Sequence, residues 1–435
     1  MPDWNGSYSQ FRLNFEQQVK RAKDLLKAAR AGDPQALARF KSPPKLAEAQ
    51  YLIAQELRFD SWAALERHIA EMARAREAMS ASVLDSDLRT LHVRCGSDLK
   101  SSLPEAGIQG DFYEHSYPYL MGPVREGPDC LRQRARFIVD GYGDLFDPPL
   151  QSQGYLAAVE GQLESLEDQE RQLHDSADYE RVVLWFEHDC YDQLTLIRLL
   201  GHYAEHRRPP RLELINIGDF PGSRRFIGLG ELPPEALRML WTTRKPVSPA
   251  QLQLGLNAWR ALANPDPRPL AAIMRSDTPA LPLLAPALHR HLRELPSTVN
   301  GLSLTEEMAL TLMAEPPQQW GGTANLNKLF GWMTWVTDPL PGQGDWQVRR
   351  RLLDMEAKSA PVFTRSPGLD HQGNARPPWT DVFAITELGR SVLRGEMDFR
   401  SLDLPPRWVG GVEVAAGNVD WRWDEAKRDA VLRES

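Results

Sequence analysis

The chain has 435 residues, with 51 Lys+Arg, 59 Asp+Glu, 34 Pro, 13 Trp and three Cys, and a formal charge of −8. At roughly 100–200 residues per domain, this length predicts two to four domains. An apolar share of 42% and a charged share of 25% exclude wholesale disorder and fibrous repeats. No apolar run reaches the roughly 18–20 residues of a membrane span, and the acidic balance weighs against sequence-independent nucleic-acid binding. Cys95, Cys130 and Cys190 are too few and too scattered for a disulfide framework. The opening Met1-Pro2-Asp3-Trp4-Asn5 shows no basic segment ahead of an apolar core. A cytoplasmic protein without membrane association is expected.

Residues 1–80 read as helical hairpins. Val19, Ala22, Leu25, Leu26 and Ala29 keep helical spacing up to Gly32. Asp33 and Pro34 then suit the cap and first position of a second helix, reaching about Phe40. Leu46–Leu57 supplies a third helix, and Ser61-Trp62 opens a fourth that ends near Met72. The rhythm resembles degenerate ankyrin-type hairpins, without the Thr-Pro-Leu-His signature. This section carries 13 basic against 10 acidic residues, so the rest of the chain holds −11. It suits a helical cap over the next domain or a module that holds a protein partner.

Residues 89–245 alternate strand and helix signals. Leu91–Cys95 is a short strand, Ser97–Leu103 a short helix, and Phe112–His115 a second strand. Helices are expected over Leu131–Tyr142, Tyr155–Leu173 and Asp192–Tyr203. Arg181–Phe186 is the clearest strand, a nearly continuous apolar run, and Leu212–Ile217 adds another. The alternation predicts an α/β fold, a Rossmann-like parallel sheet covered on both faces.

Residues 246–300 read as a helical bridge cut by prolines. Residues 301–435 predict a winged-helix-like α+β domain. It begins with a capping box at Ser303 and Glu306, continues with helices over Leu326–Trp335 and Trp346–Met355, and has wing strands at Pro361–Thr364 and Val382–Ile385. A helix over Thr386–Leu393 closes it. Arg349, Arg350 and Arg351 fall on the third helix, where such domains meet a major groove. Three consecutive arginines spread around a helix and acidic residues flank them, so DNA is a partner compatible with the sequence but not favoured.

Two polar clusters fall after strands, at the edge where open sheets bind ligands. Cys95-Gly96-Ser97-Asp98 would present amides at a helix start, a geometry that suits an anion; capping by Ser97 and Asp98 explains the same residues. Glu187-His188-Asp189-Cys190-Tyr191-Asp192-Gln193 is denser. Strand alternation would put Glu187 and Asp189 on one face and His188 on the other. Glu187, Asp189 and Asp192 suit a divalent metal, and with His188 a general acid–base pair. Capping accounts for Asp189 and Asp192, but not for Glu187, His188 and Gln193. Glu114, His115 and the later Gly122-Pro123 follow the second strand and could close the pocket from a loop, and His92 is a further ligand-binding candidate. Cys95 or Cys190 as a nucleophile would need a histidine base, and a buried cysteine is more often inert. Neither a Walker A loop nor a Gly-x-Gly-x-x-Gly fingerprint is present, which weighs against ATP-driven and ordinary NAD-dependent chemistry.

Three stretches resemble the bacterial domain-of-unknown-function family 1835 with its usual C-terminal partner domain. They are Leu91–Asp98, Val183–Leu194, and a tail that includes Ile385–Glu396, Arg407-Trp408-Val409-Gly410-Gly411-Val412 and Trp421-Arg422-Trp423-Asp424. The resemblance covers about residues 90–424 and implies the domain layout and site location, not an activity. Members often read Gly-Asp-Ser where this chain has Gly96-Ser97-Asp98. The expected function is a cytoplasmic enzyme or enzyme-like protein that binds a small polar or nucleotide-like ligand at the strand edge, with room for a divalent metal. The alternatives are a ligand-sensing regulator that binds DNA through the winged helix, and an adaptor that uses residues 1–80.

Overall fold

Asn14, Asp33 and Ser61 each start a helix by accepting the backbone amide three residues on. The helices are α1 (Phe15–Arg30), α2 (Pro34–Leu37) and α4 (Trp62–Ala78), with α3 (Leu46–Glu56) between. In this computed structural model residues 10–433 are described, apart from 147, 224, 357–359, 370–371 and 373–379. The second helix stops at Leu37 rather than Phe40, and the fourth runs past Met72 to Ala78. Small residues let the hairpins close: Ala22, Ala49 and Ile53 form a buried cluster lined by Trp62.

The chain divides into two units that are discontinuous in sequence. The first takes in the chain up to Glu114, together with Asp178–Glu187 and Pro209–Pro246. It contains β1 (Thr90–Arg94), α5 (Ser102–Glu105), β2 (Asp111–Glu114), β3 (Arg181–Glu187), β4 (Arg211–Ile217), α9 (Pro234–Leu240) and β5 (Lys245–Pro246). The sheet order is β2-β1-β3-β4-β5. The first four strands are parallel and β5 is antiparallel to β4, so the sheet is mixed rather than wholly parallel. Every residue of β3 is buried, as its apolar run requires. Val183, Trp185 and Ile215 from one face pack with Leu103, Leu229, Leu237 and Trp241. The helical head is tied on by charge: Arg12 and Arg76 both pair with the buried Glu235 on α9.

The second unit comprises His115–Ala177, His188–Arg208 and Val247–Ser435. Its helices α6 (Cys130–Tyr142), α7 (Tyr155–Asp175), α8 (Cys190–Glu205), α10 (Pro249–Ala263), α11 (Arg268–Arg275) and α12 (Leu284–Leu292) precede a smaller α/β part. There the capping box expected at Ser303 and Glu306 starts α13 (Leu304–Ala314). β6 (Ala324–Asn325) and α14 (Leu326–Trp332) follow, and the helix passes into a π-helical turn at Met333–Thr337 instead of running on to Trp335. α15 (Asp345–Asp354), β7 (Phe363–Ser366), β8 (Val382–Ile385) and α16 (Glu387–Leu393) complete it. These strands make an antiparallel sheet of order β6-β8-β7 over a core that includes Leu310, Leu329, Leu352 and Phe363. Two hairpins end the chain, β9 (Arg407–Val409) with β10 (Val412–Val414) and β11 (Trp421–Asp424) with β12 (Asp429–Leu432). The molecule is thus mixed α/β. Among the described residues no helix is long and apolar enough to cross a membrane.

Candidate functional site

A parallel sheet opens a crevice at the carboxyl ends of its strands where the strand order reverses. Here the reversal falls between β1 and β3, since β2 lies on the far side of β1. The last residues of these two strands are Arg94 and Glu187.

Arg94 is buried, its side chain 4% exposed. Its Nε donates to Asp98 Oδ1 at 3.0 Å and its Nη2 to Asp98 Oδ2 at 3.0 Å. The same Nη2 donates to Glu187 Oε2 at 3.0 Å. Nη1 reaches the Trp185 carbonyl at 3.4 Å. Glu187 Oε2 also accepts the Leu229 amide at 2.6 Å. That amide comes from a single 3₁₀ turn, Leu229–Glu231, in the segment after β4. Its flanking glycines let the backbone close on the two carboxylates. A Cβ on Gly230 would stand 2.8 Å from Asp98 Oδ2, and one on Gly228 would strike the Glu187 carboxylate. One guanidinium thus sits between two carboxylates, a group of formal charge −1. Asp98, with 34% of its side chain exposed, gives this group its contact with water.

The Cys95–Asp98 segment differs from expectation. The helix expected over Ser97–Leu103 contracts to the four residues of α5, so the amides of Ser97 and Asp98 open no helix. Asp98 instead turns its carboxylate back onto Arg94. A Cβ on Gly96 would meet only Asp98 Oδ1, at 3.7 Å, so the turn does not need glycine. Cys95 is buried and Ser97 exposed.

His92 stands further back on β1. Its Nε2 contacts Asp85 Oδ2 at 2.9 Å, and its Nδ1 accepts the Trp185 indole N–H at 3.2 Å. An indole N–H can only donate, so Nδ1 is bare and the proton is on Nε2. Burial pushes the ring's pKa down against the pull of Asp85. Burial would by itself raise Asp85, but His92 and the amides of Gln109 and Gly110 overcome this and hold it at about 2. Both His92 nitrogens are therefore spent inside the sheet wall. Glu114 ends β2 and is half-buried.

The remaining expected residues lie in the second unit. The strand stops at Glu187, so the strand alternation expected through Asp189 does not reach it. Asp189 is instead the N-cap of α8, its Oδ1 accepting the Asp192 amide at 2.8 Å. Asp192 is 1% exposed, and carboxylate oxygens of Asp189 and Asp192 lie within 4.8 Å of each other. The loop at Gly342 lies against this helix start, where a Cβ would be 3.0 Å from the Tyr191 amide. Gln193 is fully buried and His188 half-buried. Cys190 is buried, and burial pushes its thiol pKa up, which disfavours the nucleophilic thiolate. His115 is buried and neutral: burial takes its pKa down to about 3, and its Nε2 meets the Tyr119 hydroxyl at 2.9 Å.

Of the three carboxylates expected to share a metal, Glu187 bonds Arg94 and the Leu229 amide in the first unit and Asp189 accepts the Asp192 amide in the second, bonds that a carboxylate keeps while it ligates a cation. The residues not foreseen are Arg94, Gly228, the Leu229 amide and Gly230. A Gly-Leu-Gly triplet soon after a buried strand is the signal that would have pointed to them.

The arginine row on α15 is held within its own unit. Arg350 Nε bonds Asp354 Oδ1 at 2.8 Å, Arg349 lies 3.7 Å from Asp144, and Arg351 faces the buried Glu294 and Glu306. Neither protein-family models nor curated proteins match the chain.

Proposed function

We propose that the first unit is Rossmann-like and binds a small polar ligand at the carboxyl ends of β1 and β3, as an enzyme or an enzyme-like binding protein. The observation that carries this reading is the position of the Arg94–Asp98–Glu187 group at the strand-order reversal. Buried charges are costly to desolvate, and a hydrophobic replacement is often as stable. Their concentration at the one edge where such sheets bind ligands therefore favours a role in recognition.

The charge indicates the ligand's chemistry. Asp98, with a third of its side chain open to water, offers carboxylate oxygens that accept hydrogen bonds from hydroxyl or amine donors, such as the ribose of a nucleoside. Arg94 holds Asp98 in place by two parallel bonds, a pre-organised acceptor. Resemblance to domain-of-unknown-function family 1835 belongs to the same proposal and is supported by the quoted stretches alone.

For the second unit, the order α13, β6, α14, α15, β7, β8 with the sheet β6-β8-β7 supports a winged-helix reading. The inward pairing of Arg350 and Arg351 gives the DNA-binding alternative no support.

The test is a thermal-shift panel of nucleosides, sugars and amino acids on the wild type and on Asp98→Asn. A compound that stabilises the wild type and loses that effect in Asp98→Asn supports the reading. Equal shifts in both proteins would refute it.

A further inference from the structure

A cavity of about 510 Å³ in the second unit lies among α6, α15 and the segment before β9. Its wall carries four arginines, Arg136, Arg350, Arg351 and Arg407, against two carboxylates, Asp140 and Asp354. Arg350 is neutralised by Asp354. Arg351 and Arg407 are not so closely matched. Arg351 stands 3.9 Å from Glu294 and 3.7 Å from Glu306, and Arg407 stands 3.4 Å from Glu306.

Those two glutamates do not line the cavity; each turns one oxygen to these arginines, Glu294 Oε2 to Arg351 and Glu306 Oε1 to Arg351 and Arg407, and gives the other to a different partner. Glu294 Oε1 bonds Arg290 at 2.6 Å, while Glu306 Oε2 accepts the Ser303 amide at 2.7 Å. Among the described residues, Arg351 Nη1 and Arg407 Nη2 have no hydrogen-bond partner. Arg407 has only 8% of its side chain exposed; Glu306 lies 3.4 Å from its Nε and the Glu294 carbonyl accepts from its Nη1 at 2.7 Å, so Nη2 is the buried donor that an incoming anion would satisfy. Burial drags its pKa down to about 10.

A second cavity of about 290 Å³ adjoins the first and shares Met121, Tyr142 and Gln347 with it. It is lined by Tyr117, Phe146 and Trp346, with amide groups from Gln162 and Gln169, and among the described residues its wall carries no charged side chain. A cationic chamber therefore opens beside an aromatic one.

We propose that the two chambers together bind a phosphomonoester attached to a planar ring, a mononucleotide-type ligand, with the phosphate beside Arg351 and Arg407 and the ring toward Tyr117 and Trp346. The combined size lies in the range of small-molecule sites, and guanidinium groups suit a phosphate dianion. This site is separate from the one proposed at Arg94, where the group open to water is the Asp98 carboxylate.

The test uses the full chain, with adenosine monophosphate (AMP), inorganic phosphate and adenosine as probes in isothermal titration. AMP should bind saturably and more tightly than phosphate or adenosine, and more weakly as salt rises. Arg407→Gln should weaken AMP binding by about tenfold or more. Because that change also removes a bond from Arg407 to the Glu294 carbonyl, Met121→Trp serves as a second variant. It fills the junction without touching a charge, and it should weaken AMP to a similar degree while circular dichroism stays native. No AMP binding by the wild type, or unchanged affinity in both variants, would overturn the inference. Loss of AMP binding in Asp98→Asn with retention in Arg407→Gln would also overturn it, by putting the nucleotide in the first unit.

Discussion

Arg94 and Glu187, the last residues of two neighbouring parallel strands, are joined at 3.0 Å with both side chains almost wholly buried. Removing one partner of such a pair leaves the other charged and stranded, at a cost of about 3–5 kcal/mol. Arg94→Met should therefore destabilise the first unit by about that much, since Glu187 and Asp98 would face each other without a cation. Arg94→Met/Glu187→Gln should recover a large part of the loss. Urea unfolding of the single and double variants measures this, and additive losses would show that the two residues do not act as a pair.

Asp189 separates capping from charge. It caps α8 through a bond to the Asp192 amide, and asparagine caps as well as aspartate. Asp189→Asn should leave stability within a few tenths of a kcal/mol of the wild type, while Asp189→Ala should lose about 1 kcal/mol. Thermal unfolding of both variants reads the difference. A large loss in Asp189→Asn would mean that the negative charge itself is needed there.

Asp85 gives the first unit an acid-sensitive element. Its carboxyl is held at about 2 against an ordinary 3.8, so the folded state is favoured while the group is ionised. That contribution is fully present above the ordinary value and is lost as pH falls toward 2. It amounts to about 2 kcal/mol. The stability difference between wild type and Asp85→Asn should be constant above about pH 5 and shrink steadily below pH 4. A difference independent of pH would contradict the role given to the His92 and backbone bonds.

Much of this architecture was legible in the sequence because local signals agreed with the fold. Asp33 and Ser61 start helices, Ser303 with Glu306 forms its capping box, and the apolar run at β3 gives a strand buried throughout. The site was legible only in part. Its place at the strand ends followed from the pattern, and so did Asp98 and Glu187. Arg94 was hidden because a charged residue closing an apolar strand looks like a solvated end, whereas here it is the buried centre of the group. Gly228 and Gly230 were hidden because their need for close approach comes from side chains more than 40 positions away. The antiparallel β5 and the terminal hairpins escaped because strands of two to four residues carry too little alternation to read.

The charge of −8 and the lack of a nucleotide fingerprint do not exclude nucleotide-like ligands; they move the question to two chemically different places. One is an acceptor-rich sheet edge, and the other is an arginine-walled cavity.

The most direct measurement of the central claim is native mass spectrometry of the full chain purified without denaturant, as wild type and as Asp98→Asn. The account expects a bound small polar molecule rich in hydroxyl or amine groups on the wild type, and its absence from Asp98→Asn at equal folded content. The same adduct on both proteins, or a wild type that carries none and takes up none from a metabolite extract, would contradict it.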